Sequence, residues 1–482
     1  MEVLQRTANR GSISTGSYEI DNSLKFERAN GEQIITSNQA VGNKKTWTFS
    51  AWLKRTQLGQ DYSCVFGSGY TNIQFMDNDK LRVVLYDGSN SRYADTDQVF
   101  RDTSAFYHIV IALDTTQGTA SDRVKIYING VRVTSFSNTT YTNMSQNDEF
   151  GLGYAGSDGS ERWLRLGDFF AGSEGFSGYM SDVYYLNGTA EDADAFGEFD
   201  EDSGIWIPKK YTGSGFGTQG FKYEFKDSSA LGTDTSGEGH DANSLNNITA
   251  ADQAQDSPTN SFCTLNPIFQ SYGTYDELTI SEGATRAVNA ASAYKSATST
   301  IGVSTGKWYW EVNITDRNVI TTIGVTMPFY WDAGNAPFGG TVYYGQTGQR
   351  HNNSVAGGGQ DSFGNGYTDG DIISFALDMD ATTPTLAVRK NNSLVTGNNA
   401  AGNLMYGLSL TGSGGTFLPP KEDFYFAKLV GYGANTFDIN FGGYTAASIS
   451  SAASDGDGYG TFEYEPPSGY YAICTKNLAE YG

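Results

Sequence analysis

Histidine is nearly missing from this chain: His108, His240 and His351 are the only three among 482 residues. A serine or cysteine nucleophile needs such a base within hydrogen-bond reach, so the scarcity confines that chemistry to three places. His108 lies in the middle of YHIVIALD and reads as a core residue, His240 sits in the glycine-rich GEGHDANS, and His351 reads as a loop residue beside Arg350 and Asn352. No Gly-x-Ser-x-Gly elbow accompanies any of them. Cysteine is equally thin. Cys64, Cys263 and Cys474 are odd in number and widely spaced, which fits neither a disulfide framework nor a zinc site, so buried free thiols are expected. No apolar run approaches the roughly 18 residues of a membrane helix, and MEVLQRTANRGS has no apolar h-region. Neither membrane insertion nor secretory export is expected. Cationic charge is in deficit, 31 Lys+Arg against 54 Asp+Glu, and a net charge of −23 repels phosphate backbones and argues against a nucleic-acid partner.

What the chain does have is aromatic residues and glycine: Tyr 31, Phe 28 and Gly 59 against Pro 10 describe a turn-rich β protein. One pattern occurs twice. Residues 107–133 read YHIVIALDTTQGTASDRVKIYINGVRV, and residues 371–395 read DIISFALDMDATTPTLAVRKNNSLV. Each is an apolar strand ending in Ala-Leu-Asp, a polar turn, and a second strand closing on an Asn-rich reversal. Alternation puts Val124, Ile126 and Ile128 on one face with Lys125 and Tyr127 opposite, and Asn129-Gly130 suits the positive φ of a tight hairpin. Asn391-Asn392 suits it less well, so a looser second turn is expected. The length calls for two or three domains, and the repeat points to two all-β domains in tandem.

Residues 1–17 read as a polar arm. From 18 to 200, short strands recur without helical periods: LKFER, TWTFSAWLKR, LRVVLYDG, YHIVIALD, RVKIYING and GYMSDVYYLNG, as in a β-sandwich. Trp47, Phe49, Ala51 and Leu53 share an inner face, and Trp52 falls opposite, where cover by a loop or stacking on a ligand are the two readings. Residues 201–262 read as a bridging segment with a strand or two. A second series fills 263–445 with KWYWEVNI, TTIGVTM, DIISFALDMD, TLAVRKN, DFYFAKLV and FDINFGG, and 446–482 reads as a tail that docks back. Short helices are expected at 189–199 and 285–294.

TFSAWLKR, the YHIVIALD…RVKIYINGVRV unit and GYMSDVYYLNGTA together resemble the laminin-G-like, concanavalin-A-like lectin superfamily. The resemblance covers most of residues 20–200 and implies a jelly-roll sandwich whose edge loops often hold glycans, sometimes with calcium. GKWYWEVNI, YYGQTGQRHNN, FGNGYTDGDIISFALD, TLAVRKNNSLV and INFGG are similar, in that order, to SPRY domains, which implies a second bent sandwich with partner-binding loops. The pairing of the modules, with SPTNSFCTLNP and PPSGYYAICT, resembles tail-fibre-type or other virion proteins of marine bacteriophages. The fold class expected is therefore all-β, two tandem antiparallel sandwiches.

A sandwich glycoside hydrolase needs two carboxylates flanking the scissile bond. The usual arrangement there is Glu-x-Asp-x-x-Glu; the nearest string runs from Glu19 through Asp21 to Leu24, so its last acid is missing. No catalytic residue and no metal ligand is assigned. No cofactor is expected; calcium stays open at Asp77/Asp79, Asp95/Asp97 and Asp455/Asp457, where turn chemistry competes with ligation. Lectin sites combine flat rings with amide, carboxylate or guanidinium groups on loops. The aromatic, amide-rich stretch 328–367 has that mixture, with Tyr330, Trp331, Tyr343, Tyr344, Arg350, His351 and Asn352 as candidate glycan or partner contacts. Weaker candidates are 86–93, YDGSNSRY, and 156–170, where Trp163 is suited to a sugar or to a neighbouring subunit. The expectation is a non-enzymatic virion protein, a tail fibre or adhesin, binding a host-surface glycan as a homo-oligomer, a trimer favoured, alongside other virion proteins and released by lysis. A capsid-decoration or tail-assembly protein is the alternative, and a glycan hydrolase the third reading.

Overall fold

Each Ala-Leu-Asp unit folds as an antiparallel hairpin, Tyr107–Asp114 on Val124–Ile128 and Ile372–Asp378 on Thr385–Lys390. The reversals that follow are built alike. Asn129 and Gly130 have φ of 47° and 78°, Asn391 and Asn392 have 47° and 65°, so the second turn is no looser than the first. The reason lies in the asparagine side chain. Asn129 Oδ1 accepts the His108 N–H at 2.7 Å and Asn391 Oδ1 accepts the Ile372 N–H at 2.9 Å, tying each turn to the start of its neighbouring strand. Asn129→Ala and Asn391→Ala each lose that bond while keeping the left-handed strain, so each is expected to cost about 1–2 kcal/mol, read as a lowered melting transition. Asn391→Gly, which removes the strain as well as the bond, should cost less.

The computed structural model describes residues 18–36, 42–68, 70–150, 152, 163–168, 174–268, 276–326, 341–352, 360–397, 403–405 and 424–482. They divide into two compact units that meet in sequence between Asn260 and Ser261. The first is a sandwich of two antiparallel sheets. One runs in the order Val131–Arg132, Val124–Ile128, Tyr107–Asp114, Thr46–Arg55, Gly178–Asn187, Ser23–Phe26, Gln253–Ala254, with Phe221–Tyr223 also on Gly178–Asn187. The other runs Phe136–Asn138, Ser91–Val99, Lys80–Tyr86, Thr71–Phe75, Ser63–Ser68, Arg165–Leu166, Gln33–Thr36, Ala242–Asn246. Their inner faces meet in one apolar core, where Phe49 of the first sheet stacks on Phe66 of the second at 4.7 Å.

The stretch 201–260 is a correction to the bridge expected there. Its strands Phe221–Tyr223, Ala242–Asn246 and Gln253–Ala254 complete both sheets of the first unit. Trp206–Pro208 pairs with Gly197–Phe199 and carries the Trp206 indole over His108. Glycine and aspartate in this region make its turns, while the few apolar residues between them, Phe221, Tyr223, Phe225, Leu231 and Ile248, all enter the core.

The second unit is likewise a two-sheet sandwich. One sheet runs Asp276–Glu277, Tyr294–Thr298, Phe426–Tyr432, Ile320–Thr326, Thr341–Gly345, Gln349–Asn352, Gln360–Ser362. The other runs Thr279–Ser281, Arg286–Asn289, Asn435–Asn440, Lys307–Asp316, Ile372–Asp378, Thr385–Lys390, Ser393–Leu394. Trp308 and Trp310 point into the core between them. The helix expected over 285–294 is instead the strand Arg286–Asn289 and a turn, because Ala287 alternates inward while Arg286 reaches Asp438 on the other face at 2.6 Å. Over 189–199 only a short 3-10 turn, Ala193–Ala195, precedes a strand. Among the described residues the α-helix is Thr475–Tyr481, in the tail, whose strand Tyr471–Ala472 joins Lys307–Asp316 in parallel. Cys64, Cys263 and Cys474 are buried thiols.

Candidate functional site

Period-two alternation fixes what the second sheet of the first unit shows on its outer side. Ile73, Phe75, Leu81, Val83, Leu85 and Ala94 are in the core, so Asn72, Gln74, Arg82, Val84, Tyr93 and Asp95 face the other way. Register then arranges them in two cross-strand rows: Asn72, Val84, Tyr93 and, beside it, Gln74, Arg82, Asp95. Arg82 and Asp95 form a two-pronged pair, Nε to Oδ1 and Nη2 to Oδ2 both at 2.7 Å. These bonds from Asp95 raise the Arg82 pKa and hold the guanidinium charged. The guanidinium carbon lies 5.0 Å from the Tyr93 ring centroid.

The two amides are unlike their neighbours. Asn72 is 4% exposed and Gln74 3%, yet Asn72 Oδ1 and Gln74 Oε1 have no hydrogen-bond partner. A buried polar group left so costs about 1–3 kcal/mol, and native proteins rarely keep one without a use. Gly67, the cross-strand partner of Asn72, holds the place open: a Cβ there would stand 2.7 Å from Asn72 Cβ. At the end of the same strands Tyr70, 58% exposed, packs its ring 4.8 Å from that of Tyr86. Amide donors and acceptors beside an ion pair, with tyrosine rings at the margin, are the groups that hold hydroxyls and C–H faces of a polar ligand. Asn72 and Gln74 escaped the reading of the sequence, although TNIQF carries the signal: two amides two residues apart, between apolar residues, share one face of a strand. Tyr86 and Tyr93 lie in the stretch 86–93 singled out above.

The other candidates are placed as follows. Tyr330 and Trp331 lie outside the described residues. Tyr343 and Tyr344 are fully buried in the strand Thr341–Gly345, which corrects their reading as loop rings open to a ligand. Tyr344 is core, packed on Phe363 and Tyr367, with its hydroxyl donating to the Asn365 carbonyl. His351 is a strand residue rather than a loop residue: Gln349–Asn352 sets Arg350, His351 and Asn352 opposite Tyr344, Tyr343 and Val342. Arg350 is half-buried and its Nη1 donates to the Leu404 carbonyl at 3.3 Å. Trp163 is half-buried and leads into Arg165–Leu166, which pairs with Ser63–Ser68 in the first unit. The structure thus brings Tyr343, Tyr344, Arg350, His351 and Asn352 onto adjacent strands, with Trp163 just before a strand of the first unit.

Of the aspartates left open for calcium, Asp79, Asp95 and Asp455 are engaged by protein donors. Asp79 takes Arg55, Arg101 and the Gly59 N–H; Asp95 takes Arg82; Asp455 takes the N–H groups of Asp457, Tyr459 and Ala472 and the Asn477 amide. Among the described residues no group of three or more His, Cys, Asp or Glu is arranged to hold a metal.

His108 does contact a serine, with Nε2 2.9 Å from Ser50 Oγ. The Trp206 indole N–H, a donor only, reaches His108 Nδ1 at 2.9 Å, so Nδ1 accepts and the ring proton sits on Nε2. That tautomer donates to Ser50 and cannot take its proton. Trp52 covers the ring from the other side, stacked at 4.6 Å and itself only 5% exposed.

Residues 28–194 match the laminin G model of the concanavalin A-like lectin/glucanases superfamily, so the first unit carries a lectin-like β-sandwich. No curated protein matches the chain. Among solved structures, a Bacteroides ovatus protein assigned to carbohydrate binding is 16% identical over 47% of this chain, which spans 59% of that one, at a TM-score of 0.33. The SPRY domain of human HERC1 is 18% identical over 33% of this chain and 89% of its own, TM-score 0.23. Tailspike protein 2 of an Escherichia coli O157:H7 bacteriophage is 18% identical over 36% of this chain and 23% of its own, TM-score 0.26.

Proposed function

We propose that this is a non-enzymatic virion protein of the tail-fibre or adhesin type, which binds a host-surface glycan on the outer face of the first unit's second sheet. The observation that carries the reading is the pair of buried, unpartnered amide oxygens of Asn72 and Gln74 beside the Arg82–Asp95 pair. Sugar hydroxyls supply the donors these oxygens lack, and the lectin-like sandwich provides a rigid strand framework for them. Binding rather than hydrolysis fits the face. Asp95 is committed to Arg82 and Asp97 of the same strand pairs with Lys80, whereas glycoside cleavage needs two carboxyl groups flanking the bond. The virion setting and lysis release rest on the pairing of a lectin-like with a SPRY-like module in one sequence. Weak single sites gain from several copies, which suits a homo-oligomer such as a trimer.

Asn72→Ala/Gln74→Ala is expected to reduce binding to host polysaccharide at least about tenfold, a loss of roughly 1.4 kcal/mol, measured by calorimetry or by competition with adsorption to host cells. Its melting temperature should not fall, because two unsatisfied amides are removed. Unchanged binding would remove this face from consideration, and release of reducing ends from the polysaccharide would replace the binding reading with a hydrolytic one.

A further inference from the structure

Leu24 and Phe26 enter the core of the first unit, so Lys25 between them points to the outer side of its sheet. A lysine on such a face would ordinarily reach water. Lys25 is instead 1% exposed, and its Nζ lies 2.7 Å from Glu32 Oε1 and 2.9 Å from Asp252 Oδ1. The two acids are themselves buried, with side chains 2% and 9% exposed. Each is fixed by further donors. Glu32 Oε1 also accepts the Asn30 amide at 2.9 Å and Oε2 accepts the Glu27 N–H at 2.8 Å, while Asp252 Oδ2 accepts the Thr249 N–H at 2.7 Å and its hydroxyl at 3.0 Å. Lys25 belongs to the sheet that does not carry Asn72 and Gln74, so this cluster plays no part in the reading above.

Three charges taken out of water are a costly way to fasten two segments, since apolar side chains of similar volume do so with less desolvation. The cluster does set an amine against one carboxyl group while a second carboxyl touches the same nitrogen. Those are the parts that amide formation needs: nucleophile, acyl group and proton carrier. Groups held together in this way react at effective concentrations of about 10⁵ M or more, which favours a condensation that the separate groups in water do not complete. Burial raises the Glu32 carboxyl to about 7, where it takes up and gives back a proton near neutral pH.

We infer that Lys25 and Asp252 become joined by an isopeptide bond, with Glu32 as the proton carrier. Glu32 carries a proton from the Lys25 ammonium to Asp252 Oδ1, the neutral amine attacks Cγ, and the negative charge that gathers on Oδ2 is met by the Thr249 N–H and hydroxyl. Glu32 then carries a second proton from the nitrogen to Oδ1, and the C–Oδ1 bond breaks. Oδ1 leaves as water with two of the three ammonium protons, and the third stays on the amide nitrogen. Ammonium and carboxylate enter, amide and water result, and no other reactant is needed. The link would join the strand Ser23–Phe26 to the segment that closes the first unit, so tension applied to the chain outside residues 25 and 252 would load the bond and not the strands between them.

The test is the intact mass of the full chain after prolonged incubation at neutral pH, where a value about 18 Da, one water, below that of the sequence is expected. A tryptic digest should contain one branched peptide that joins the segments holding Lys25 and Asp252 and is uncut after Lys25. Lys25→Arg and Asp252→Ala should each show the full mass of their sequences. Glu32→Gln, followed by mass from the time of cell-free synthesis, should link at least about a hundredfold more slowly, because an amide does not carry protons. Full mass in the wild type overturns the inference, as does a water lost elsewhere in the chain, for instance between Lys54 and Asp256, whose charged atoms lie 2.8 Å apart. A deficit that persists in Lys25→Arg, or linking of Glu32→Gln at the wild-type rate, overturns it as well. Where a variant fails to fold, the branched peptide in the wild-type digest, present or missing, decides.

Discussion

Lowering the pH from 7 to 3 is expected to remove up to about 5 kcal/mol of stability from the first unit through one side chain, His108. Burial lowers its pKa to about 3, against about 6.5 when unfolded. Between those values the unfolded chain binds a proton that the folded chain refuses, so stability is full above pH 6.5 and is lost progressively toward pH 3. Protonation would also place a hydrogen on Nδ1, where the Trp206 indole already donates, and force two donors against each other. Glu32 acts with the opposite sign. Burial raises its carboxyl from 4.5 to about 7, against the pull of Lys25, so it gains a proton in the folded state first and stabilises as pH falls across that window. The wild type alone therefore mixes both effects, and His108→Gln isolates one. Urea midpoints should show the variant less stable at pH 7 and much less sensitive to acid than wild type; an equal acid slope in both would sink the assignment.

Glu311→Ala is expected to cost the second unit about 3–5 kcal/mol and to loosen its tail. Glu311 is 2% exposed, and burial pushes its carboxyl above the usual range while its donors pull it back. Oε1 accepts the Tyr464 N–H and the Tyr309 hydroxyl, each at 2.9 Å, and Oε2 accepts the Glu463 N–H at 2.9 Å and the Asn440 amide at 3.4 Å. Removing the carboxylate strands two backbone donors and a hydroxyl under Phe462, whose ring meets Tyr309 edge-on at 5.1 Å. Limited proteolysis should then cut near 462–464 before the sandwich itself. Glu311→Gln keeps the shape but turns one acceptor into a donor facing an N–H, so a loss of about 1–3 kcal/mol is expected. A tail as resistant in Glu311→Ala as in wild type would show that its apolar contacts suffice.

The central Trp-Glu strand shows how far sequence alone could be followed. KWYWEVNI is legible as a strand, and the sandwiches are legible from a dozen such runs; the structure adds that Trp308 and Trp310 point inside. That Glu311 clasps a segment some 150 residues away was not legible, because nothing local marks which distant N–H groups a carboxylate will meet. The same limit explains Tyr343 and Tyr344. Their composition suits a binding loop, and only cross-strand pairing revealed that the sheet extends through them and buries both. The stretch 201–262 reads as a bridge for the converse reason: its turns dominate its composition, while the few apolar residues that place 201–260 in the first unit are far apart.

The amino-acid order by itself determined the all-β class, the two strand series and the twin hairpins, because these depend on period-two alternation and on asparagine and glycine at positive φ, which are local. Tertiary structure alone decided that 201–260 completes the first sandwich, that His108 is a donor to Ser50 and no base, and that Asn72 and Gln74 stand beside Arg82 and Asp95. Each of those depends on register between strands distant in sequence. A shift of one residue there would turn every side chain to the other face.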